Sequence, residues 1–332
     1  MKLIIPMAGK GTRLRPHTHT TPKPLQPVAG TMIVERIVDT FARTLEGTID
    51  EIVFILGDFG DEVKQELTAM SERHNAKAHF ATQDVALGTA HAVQCAGDHL
   101  AGEIIVVFAD TIFDTDSTVS VEEADSVIWL KEVDDPSRFG VAVHEGDEIV
   151  QFVEKPSKPI SNKAIIGVYY FKEGEALSRE IQYLLDNDIK GHGDEFQLTD
   201  ALDRLLQDGK TFKSATVDEW LDCGTLPAWL DTSAEIIEKE YDGVDENRFK
   251  NTTIIPPVHI GDDVDITNSV IGPYANIGSG AVIEKSVVEK SIVLEHAQVV
   301  SSYLNRATVG NHAEIKNVSG KVHLGDHSKI AG

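Results

Sequence analysis

The sequence predicts an α/β protein: a doubly wound, mostly parallel sheet followed by a short parallel β-coil. Three observations lead there. From the start of the chain to Asp110, short apolar runs alternate with stretches whose apolar residues recur at helical spacing. Polar candidates for ligand binding fall just after those apolar runs, where open parallel sheets receive their ligands. Beyond residue 251 apolar residues return every six positions, a repeat period rather than a globular one.

Leu3-Ile4-Ile5 reads as a buried strand that runs into Ala8-Gly9-Lys10-Gly11-Thr12-Arg13. Ile33, Val34, Ile37, Val38, Phe41 and Leu45 mark a helix, Glu51–Leu56 a strand, and Val63, Leu67 and Met70 the next helix. Ala78–Gln83 is a strand, Gly88–Leu100 a helix and Glu103–Ala109 a third core strand. From Ser126 to Phe171 strands and turns dominate, as for an inserted β region, with strands expected at 127–133, 139–144, 148–153 and 164–171. Helices are expected near 175–188 and 197–207, a strand at 212–217 and a last helix at 228–238. Then come the sets Ile254/Ile260/Ile266, Ile271/Ile277/Ile283 and Val288/Leu294/Val300, each following the last at the same offset. Small residues come after many of them (Gly261, Gly272, Gly278, Gly310, Gly325). Six residues per side of a triangular coil predict roughly four coils over residues 252–330. The division expected is therefore residues 1–240 and residues 251–332.

Composition narrows the function. The chain has 332 residues, 41% hydrophobic and 25% charged, the profile of a globular protein. No apolar run approaches the roughly 20 residues that span a bilayer, and the apolar stretch before the glycines is too short for a secretory signal. Cys95 and Cys223 form no metal or disulfide pattern, which fits a reducing, cytoplasmic setting. A net charge of −24 excludes the basic footprint of nucleic-acid binding. Any anion site must be a local basic pocket in a repulsive surface. The acidity fits either a salty cytoplasm that screens it or ordinary solubility.

The glycine turn after the first strand lets backbone N–H groups approach an anion, and Arg13 and Lys23 supply two cations that compensate a polyphosphate. The spacing is neither that of a phosphate loop nor that of a dinucleotide fold. Ala8-Gly-Lys-Gly-Thr-Arg-Leu-Arg15, with Thr21-Pro-Lys-Pro-Leu25, resembles the signature loop of the sugar-1-phosphate nucleotidyltransferases, also called sugar-nucleotide pyrophosphorylases. Pro6-Met7 and Asp110-Thr111 depart from the commoner forms of that pattern, and the tail resembles left-handed parallel β-helices. The family joins a sugar 1-phosphate to an NTP on a Rossmann-like fold.

Such chemistry needs no general base, because the attacking sugar phosphate is already an oxyanion; positioning and charge neutralisation must do the catalysis. The resemblance implies Arg13, Lys23 and Lys155 as catalytic cations, and Ala8, Gly9, Gly11, Thr12, Gln83, Gly88 and Thr89 around the nucleotide. A Gln amide matches the O4/N3–H edge of thymine or uracil, which favours dTTP or UTP. Gly140, Glu154, Gly167 and Val168 are implied at the sugar. Asp110 and Asp222 are implied as carboxylates for Mg²⁺, the sole cofactor expected. The best single assignment is dTTP plus glucose 1-phosphate; UTP with glucose 1-phosphate or N-acetylglucosamine 1-phosphate is the alternative. No nucleic acid or membrane partner is expected, and the tail offers strand edges for a homo-oligomer. Two rivals remain. One is an acyltransferase activity of the tail, which carries His259, His296, His312, His323 and His327. The other is a regulatory protein that binds sugar nucleotides without turnover. The His17-Thr-His-Thr20 tract reads as loop rather than as metal ligands.

Overall fold

Leu3, Ile4 and Ile5 are fully buried in β1 (Lys2–Pro6), the strand on which the sheet is built. The computed structural model describes the chain except for residues 46, 116–123, 147 and 159. After β1 come a hairpin of β2 (Pro27–Val28) and β3 (Thr31–Met32), helix α1 (Ile33–Thr44), β4 (Glu51–Leu56), α2 (Asp61–Arg73), β5 (Lys77–Thr82) and α3 (Thr89–Gln94). The chain continues through β6 (Ile104–Val107), β7 (Thr111–Asp114), β8 (Ser126–Glu132), β9 (Gly140–Glu145), β10 (Glu148–Glu154) and β11 (Lys163–Phe171). It closes with α4 (Gly174–Asp186), α5 (Leu198–Gln207), β12 (Phe212–Thr216), β13 (Glu219–Asp222) and α6 (Leu226–Glu240) before the coil. Where one helix is expected over 88–100, α3 stops at Gln94 and a 3-10 turn spans Gly97–Leu100; Gly97 has φ 56, which no α-helix accommodates.

Contacts divide the chain into two compact units, Met1–Gly9 with Glu35–Trp220, and Lys10–Val34 with Leu221–Gly332. The division differs from the change of sequence pattern near residue 251, because residues 10–34 and 221–250 group with the coil.

In the first unit, a nine-stranded sheet runs β10-β9-β11-β6-β1-β4-β5, with β8 and β12 branching from β11. The order β6-β1-β4-β5 is parallel throughout, joined by helical crossovers. The inserted region is antiparallel at β11–β6, β11–β8 and β10–β9. One face of this sheet packs Ile4, Val53, Ile55 and Val106 against Val93 of α3, Leu177 and Ile181 of α4 and Leu202 of α5. Residues Ala8, Gln83 and Asp110 lie just beyond the carboxyl ends of β1, β5 and β6.

In the second unit, three parallel five-stranded sheets form the faces of a triangular coil consistent with a left-handed β-helix. Five strands per face mean five turns, one more than the roughly four the spacing predicts. The discrepancy has a local cause. Asp265 pairs with Val282, Gln298 with Glu314, and Glu314 with Lys329, so the turns shorten as the coil proceeds. The register therefore slips from the expected third set: Val293 and Val299, not Leu294 and Val300, continue the columns of Ile277 and Ile283. The corner after Val288 is one residue shorter than the corner after Ile271, which contains Gly272-Pro273. The last strand, Lys329–Ala331, continues the apolar column of Ile315 with Ile330 but is exposed along its length, as the end of the coil.

The same unit holds the segment 10–34 against the coil. Its hairpin turns at Ala29-Gly30, both at positive φ as a two-residue hairpin needs. Trp229 of α6, fully buried, donates from Nε1 to the Pro27 carbonyl (2.9 Å) and meets the His17 ring edge-on at 5.3 Å. His17 is itself fully buried; its Nε2 lies 2.7 Å from Thr308 Oγ1, which lies 2.9 Å from His323 Nδ1. Thr20 donates to Asp326 (2.5 Å), and a Cβ at Gly325 would fall 3.0 Å from Pro16 Cβ. The His17-Thr-His-Thr20 tract is thus a short 3-10 turn that plugs into the coil.

Burial pushes the His17 pKa down to about 4, with Asp326 opposing the shift and His323 adding to it. Above pH 6.5 both folded and unfolded chains keep this imidazole neutral. As pH falls toward 4, the unfolded chain takes up a proton that the folded chain refuses, a loss of about 3 kcal/mol of stability. Denaturant melts across this window should show that acid limb, and His17→Asn should flatten it while lowering stability at neutral pH.

Candidate active site

In the first unit, three glycine-bearing segments surround the ends of the strands. Ala8 follows β1, and Gly57 lets the end of β4 come close to it: a Cβ there would sit 3.1 Å from the Ala8 carbonyl oxygen. Gly9 is exposed with open space around it. Gln83 follows β5, its main-chain N–H donating to the Leu56 carbonyl (2.8 Å). Its amide nitrogen lies 3.0 Å from His91 Nδ1 and 3.4 Å from the Gly88 carbonyl, so the side chain is held by its own segment. His91 is not among the residues the sequence singles out; its helical spacing after Gly88 is the signal that could have found it.

Gly88 has φ 121 and ψ 177, a region closed to L side chains. A Cβ there would fall 2.4 Å from the Phe196 carbonyl oxygen. Close packing of the chain on itself therefore demands this glycine, whatever approaches from solvent. Thr89 is likewise engaged: its hydroxyl accepts from Leu198 N (2.9 Å) and donates to Gln197 Oε1 (3.2 Å). Both contacts tie the start of α3 to the start of α5.

A second group gathers around Glu154 at the end of β10. Thr199 donates to Glu154 Oε2 (3.2 Å), and a Cβ at Gly140 would come within 2.9 Å of the same oxygen. Lys155 follows with φ 42, its N–H bound to the Phe139 carbonyl (3.0 Å) and its ammonium 3.5 Å from Glu154 Oε1. Gly167, at φ 84, sits where the β11–β8 pairing shifts register between Ile165 and Tyr169. Its carbonyl accepts from Phe108 N (3.0 Å), joining β11 to the segment that carries Asp110. Val168 pairs with Val107 and is 1% exposed, so its side chain belongs to the core and only its main chain could meet a ligand.

Two ionisable neighbours of Glu154, Asp200 and Tyr169, lie in segments that resemble the family's but carry no assigned role in the sequence. Burial raises the Asp200 carboxyl, and the charges of Glu154 and Asp203 raise it further. Asp200 Oδ2 is buried with no hydrogen-bond partner. Burial also raises the Tyr169 phenol, as do the charges of Glu154 and Asp110. The Glu195-Phe-Gln-Leu-Thr-Asp200 segment is visible in the sequence, but its proximity to Glu154 is a tertiary fact.

In the second unit, Gly11 takes φ 55 and starts the 3-10 turn Thr12–Leu14. Thr18 donates to its carbonyl (2.8 Å), and a Cβ there would meet Thr18 and Lys23 at 3.0 and 3.3 Å. Lys23 is buried at 9% exposure, whereas Thr12 and Arg13 are exposed. Asp222 ends β13 and accepts from Gly224 N at Oδ1 (2.6 Å), while its carbonyl accepts from Thr232 of α6 (2.8 Å). A Cβ at Gly224 would lie 2.7 Å from Asp222 Oδ1 and 3.2 Å from Arg13 Nη2. Arg13 and Asp222, far apart in the chain, therefore meet over one glycine. Cys223 beside them is fully buried. Of the tail histidines, His296, His312 and His327 stack in a column at 4.9 and 5.1 Å. His323 belongs to the His17–Thr308 contact, and His259 lies against Gly30.

Gly88→Ala should cost about 2 kcal/mol or more, because the new methyl meets fixed backbone in a glycine-only conformation. Gly60→Ala, with φ −65 and open space, is the control expected to melt as the wild type does.

The model of the nucleotidyl transferase family matches residues 2–239. The chain is 28% identical to a glucose-1-phosphate thymidylyltransferase of Streptomyces griseus, with 99% of each chain covered. It is 29% identical to a low-salt glycan biosynthesis nucleotidyltransferase of Haloferax volcanii, again over 99% of each. Identity reaches 31% with the bifunctional protein GlmU of Methanococcus aeolicus, over 95% of this chain and 79% of the other. Among solved structures, a UDP-glucose pyrophosphorylase complexed with UDP-glucose shares the fold with a TM-score of 0.60, at 22% identity over 72% of this chain and 99% of that one. A putative glucose-1-phosphate thymidylyltransferase of Bacillus anthracis, in complex with a sucrose, gives 0.59 at 26% identity, over 74% and 98%. With more than two thirds of its length matched, this chain belongs to the nucleotidyl transferase family.

Proposed function

We propose that the protein transfers a nucleotidyl group from an NTP to a sugar 1-phosphate and releases pyrophosphate. The favoured pair is dTTP with glucose 1-phosphate, giving dTDP-glucose; UTP with glucose 1-phosphate or N-acetylglucosamine 1-phosphate is the alternative. One observation carries this reading: Arg13 of the glycine-rich turn and Asp222 of Trp-Leu-Asp-Cys-Gly converge at Gly224. A guanidinium beside a carboxylate suits a polyphosphate with its counter-cation better than it suits any uncharged substrate.

The chemistry follows from charge. A phosphate oxygen of the sugar 1-phosphate attacks the α-phosphorus of the NTP; the bond from that phosphorus to the α,β-bridging oxygen breaks, and pyrophosphate leaves with the electron pair. No proton need move. Arg13 would grip the departing pyrophosphate oxygens, and Lys23 would hold the α/β region as a buried point charge. Lys155 would offset the incoming sugar phosphate, and Glu154 would accept hydrogen bonds from sugar hydroxyls. Gly140, Gly167 and the main chain of Val168 would bound the sugar. Ala8, Gly9, Gly11 and Thr12 would face the nucleotide, with Gln83 reading the pyrimidine edge beside Gly88 and Thr89.

Asp110 and Asp222 fit Mg²⁺. Both are exposed, both offer hard carboxylate oxygens, and neither belongs to a cluster of three His, Cys, Asp or Glu among the described residues. Phosphate oxygens and water would then complete the shell, as that ion prefers. When bound, Mg²⁺ supplies charge neutralisation at the phosphates.

We assign residues 1–240 to catalysis and 251–332 to a β-helix that mediates self-association through its end strands. No helix among the described residues is long and apolar enough to cross a membrane, and a cytoplasmic location is in keeping with two cysteines, Cys95 and Cys223, that form no disulfide.

A pyrophosphate-release screen of dTTP and the common NTPs against a panel of sugar 1-phosphates tests the function. The expected result is turnover with a pyrimidine nucleotide and a hexose 1-phosphate; silence across the whole panel in the presence of Mg²⁺ overturns it. Asp110→Asn and Asp222→Asn should each lower turnover at least 100-fold with an unchanged melting profile, and near-normal rates in both would remove the metal role.

A further inference from the structure

Glu51, His79 and His99 meet at the end of the sheet remote from the glycine turn. Glu51 opens β4, His79 lies in β5, and His99 sits in the 3-10 turn Gly97–Leu100. Asp110 and Gln83 lie beyond the opposite, carboxyl ends of the strands, so this cluster is no part of the proposed active site.

Its geometry is that of converging ligands. One atom from each side chain falls within 4.8 Å of the other two, the only such trio of His, Cys, Asp or Glu among the described residues. His79 Nε2 is 2.9 Å and His99 Nδ1 3.9 Å from the same carboxylate oxygen, Glu51 Oε2. Two donors bound to one ion at about 2.1 Å each cannot stand more than about 4.2 Å apart. Both measured pairs meet that limit, and the third pair, His79 with His99, lies within 4.8 Å, with His99 35% exposed. His79 Nε2 is shielded from water and has Glu51 Oε2 as its neighbour at 2.9 Å. The rings of His79 and His99 stand 4.5 Å apart and inclined by 47°.

We propose that Glu51, His79 and His99 bind one divalent transition-metal ion of the zinc class, with water in the remaining position. Two imidazoles and a carboxylate suit Zn²⁺, Co²⁺ or Ni²⁺, whereas Mg²⁺ and Ca²⁺ prefer all-oxygen shells. The ion ties β5, an edge strand of the sheet, to β4 and to the turn after α3. Its role there is to clamp that edge.

The test uses the full-length, untagged protein after treatment with a chelator, titrated with Zn²⁺ alone and, separately, with Co²⁺. One ion per chain should bind with micromolar or better affinity, raise the melting temperature, and give the intense visible bands of four-coordinate Co²⁺. His79→Ala/His99→Ala should weaken Zn²⁺ binding at least 100-fold and abolish the thermal shift, while nucleotidyl transfer with Mg²⁺ stays within twofold. Should the double variant not fold, His99→Ala alone, at the more accessible of the two rings, carries the test, with a loss of at least tenfold. His312→Ala, in the stacked column of the coil, should bind as the wild type does. Wild-type affinity in the His79 and His99 variants, loss of binding in His312→Ala instead, or no binding to the wild type at roughly 100 µM Zn²⁺, about a hundredfold above the micromolar affinity expected for two imidazoles and a carboxylate, would each overturn the assignment.

Discussion

A neutral histidine sealed inside the second unit sets the position of the segment that carries Arg13 and Lys23. His17 is fully buried between Trp229 and the Thr308 hydroxyl of the coil. Nδ1 of this ring is buried without a partner, so losing the Nε2 contact as well would be costly, and that contact is to a coil residue. Around it, Thr20 on Asp326 and Pro16 on Gly325 repeat the pattern, and the Pro27 carbonyl accepts from Trp229 of α6. The tail is therefore more than an appendix. It is the surface on which the glycine-rich turn is ordered, and an ordered turn brings its cations to a polyphosphate without the entropy loss a mobile loop would incur.

Charge distribution makes that ordering necessary. With 54 acidic and 30 basic residues, the chain repels anions at long range. Attraction must be local, made by few cations in set places. Lys23 is buried, so its charge is screened less by salt than a surface lysine's would be. Lys155 is held 3.5 Å from Glu154, and Glu154 in turn stands near Asp200, whose carboxyl is pushed upward by burial.

Several glycines of the motifs serve the protein's own packing first. Gly88 makes room for the Phe196 backbone, Gly11 for Thr18 and Lys23, and Gly167 allows the register shift of β11 beside Phe108. Each position is closed to larger residues before any ligand arrives. The binding surface is thus a by-product of close internal fits, which is how a main-chain site remains rigid without disulfides.

Local pattern determined much of this protein from the sequence alone. Alternating apolar runs and helical periods predicted the parallel strands β1, β4, β5 and β6, and the six-residue repeat predicted the coil, because strand and solenoid periods are properties of neighbours in the chain. The same pattern placed Ala8, Gln83 and Asp110 after strands. Only the tertiary structure decided that Asp200 and Tyr169 stand by Glu154, that His91 holds Gln83, and that His17 plugs into the coil. It also decided the five turns and the column of Val293 and Val299, since a shorter corner shifts every side chain after it. These outcomes depend on which distant atoms share a small volume, and such coincidence in space leaves no period in the chain to be read.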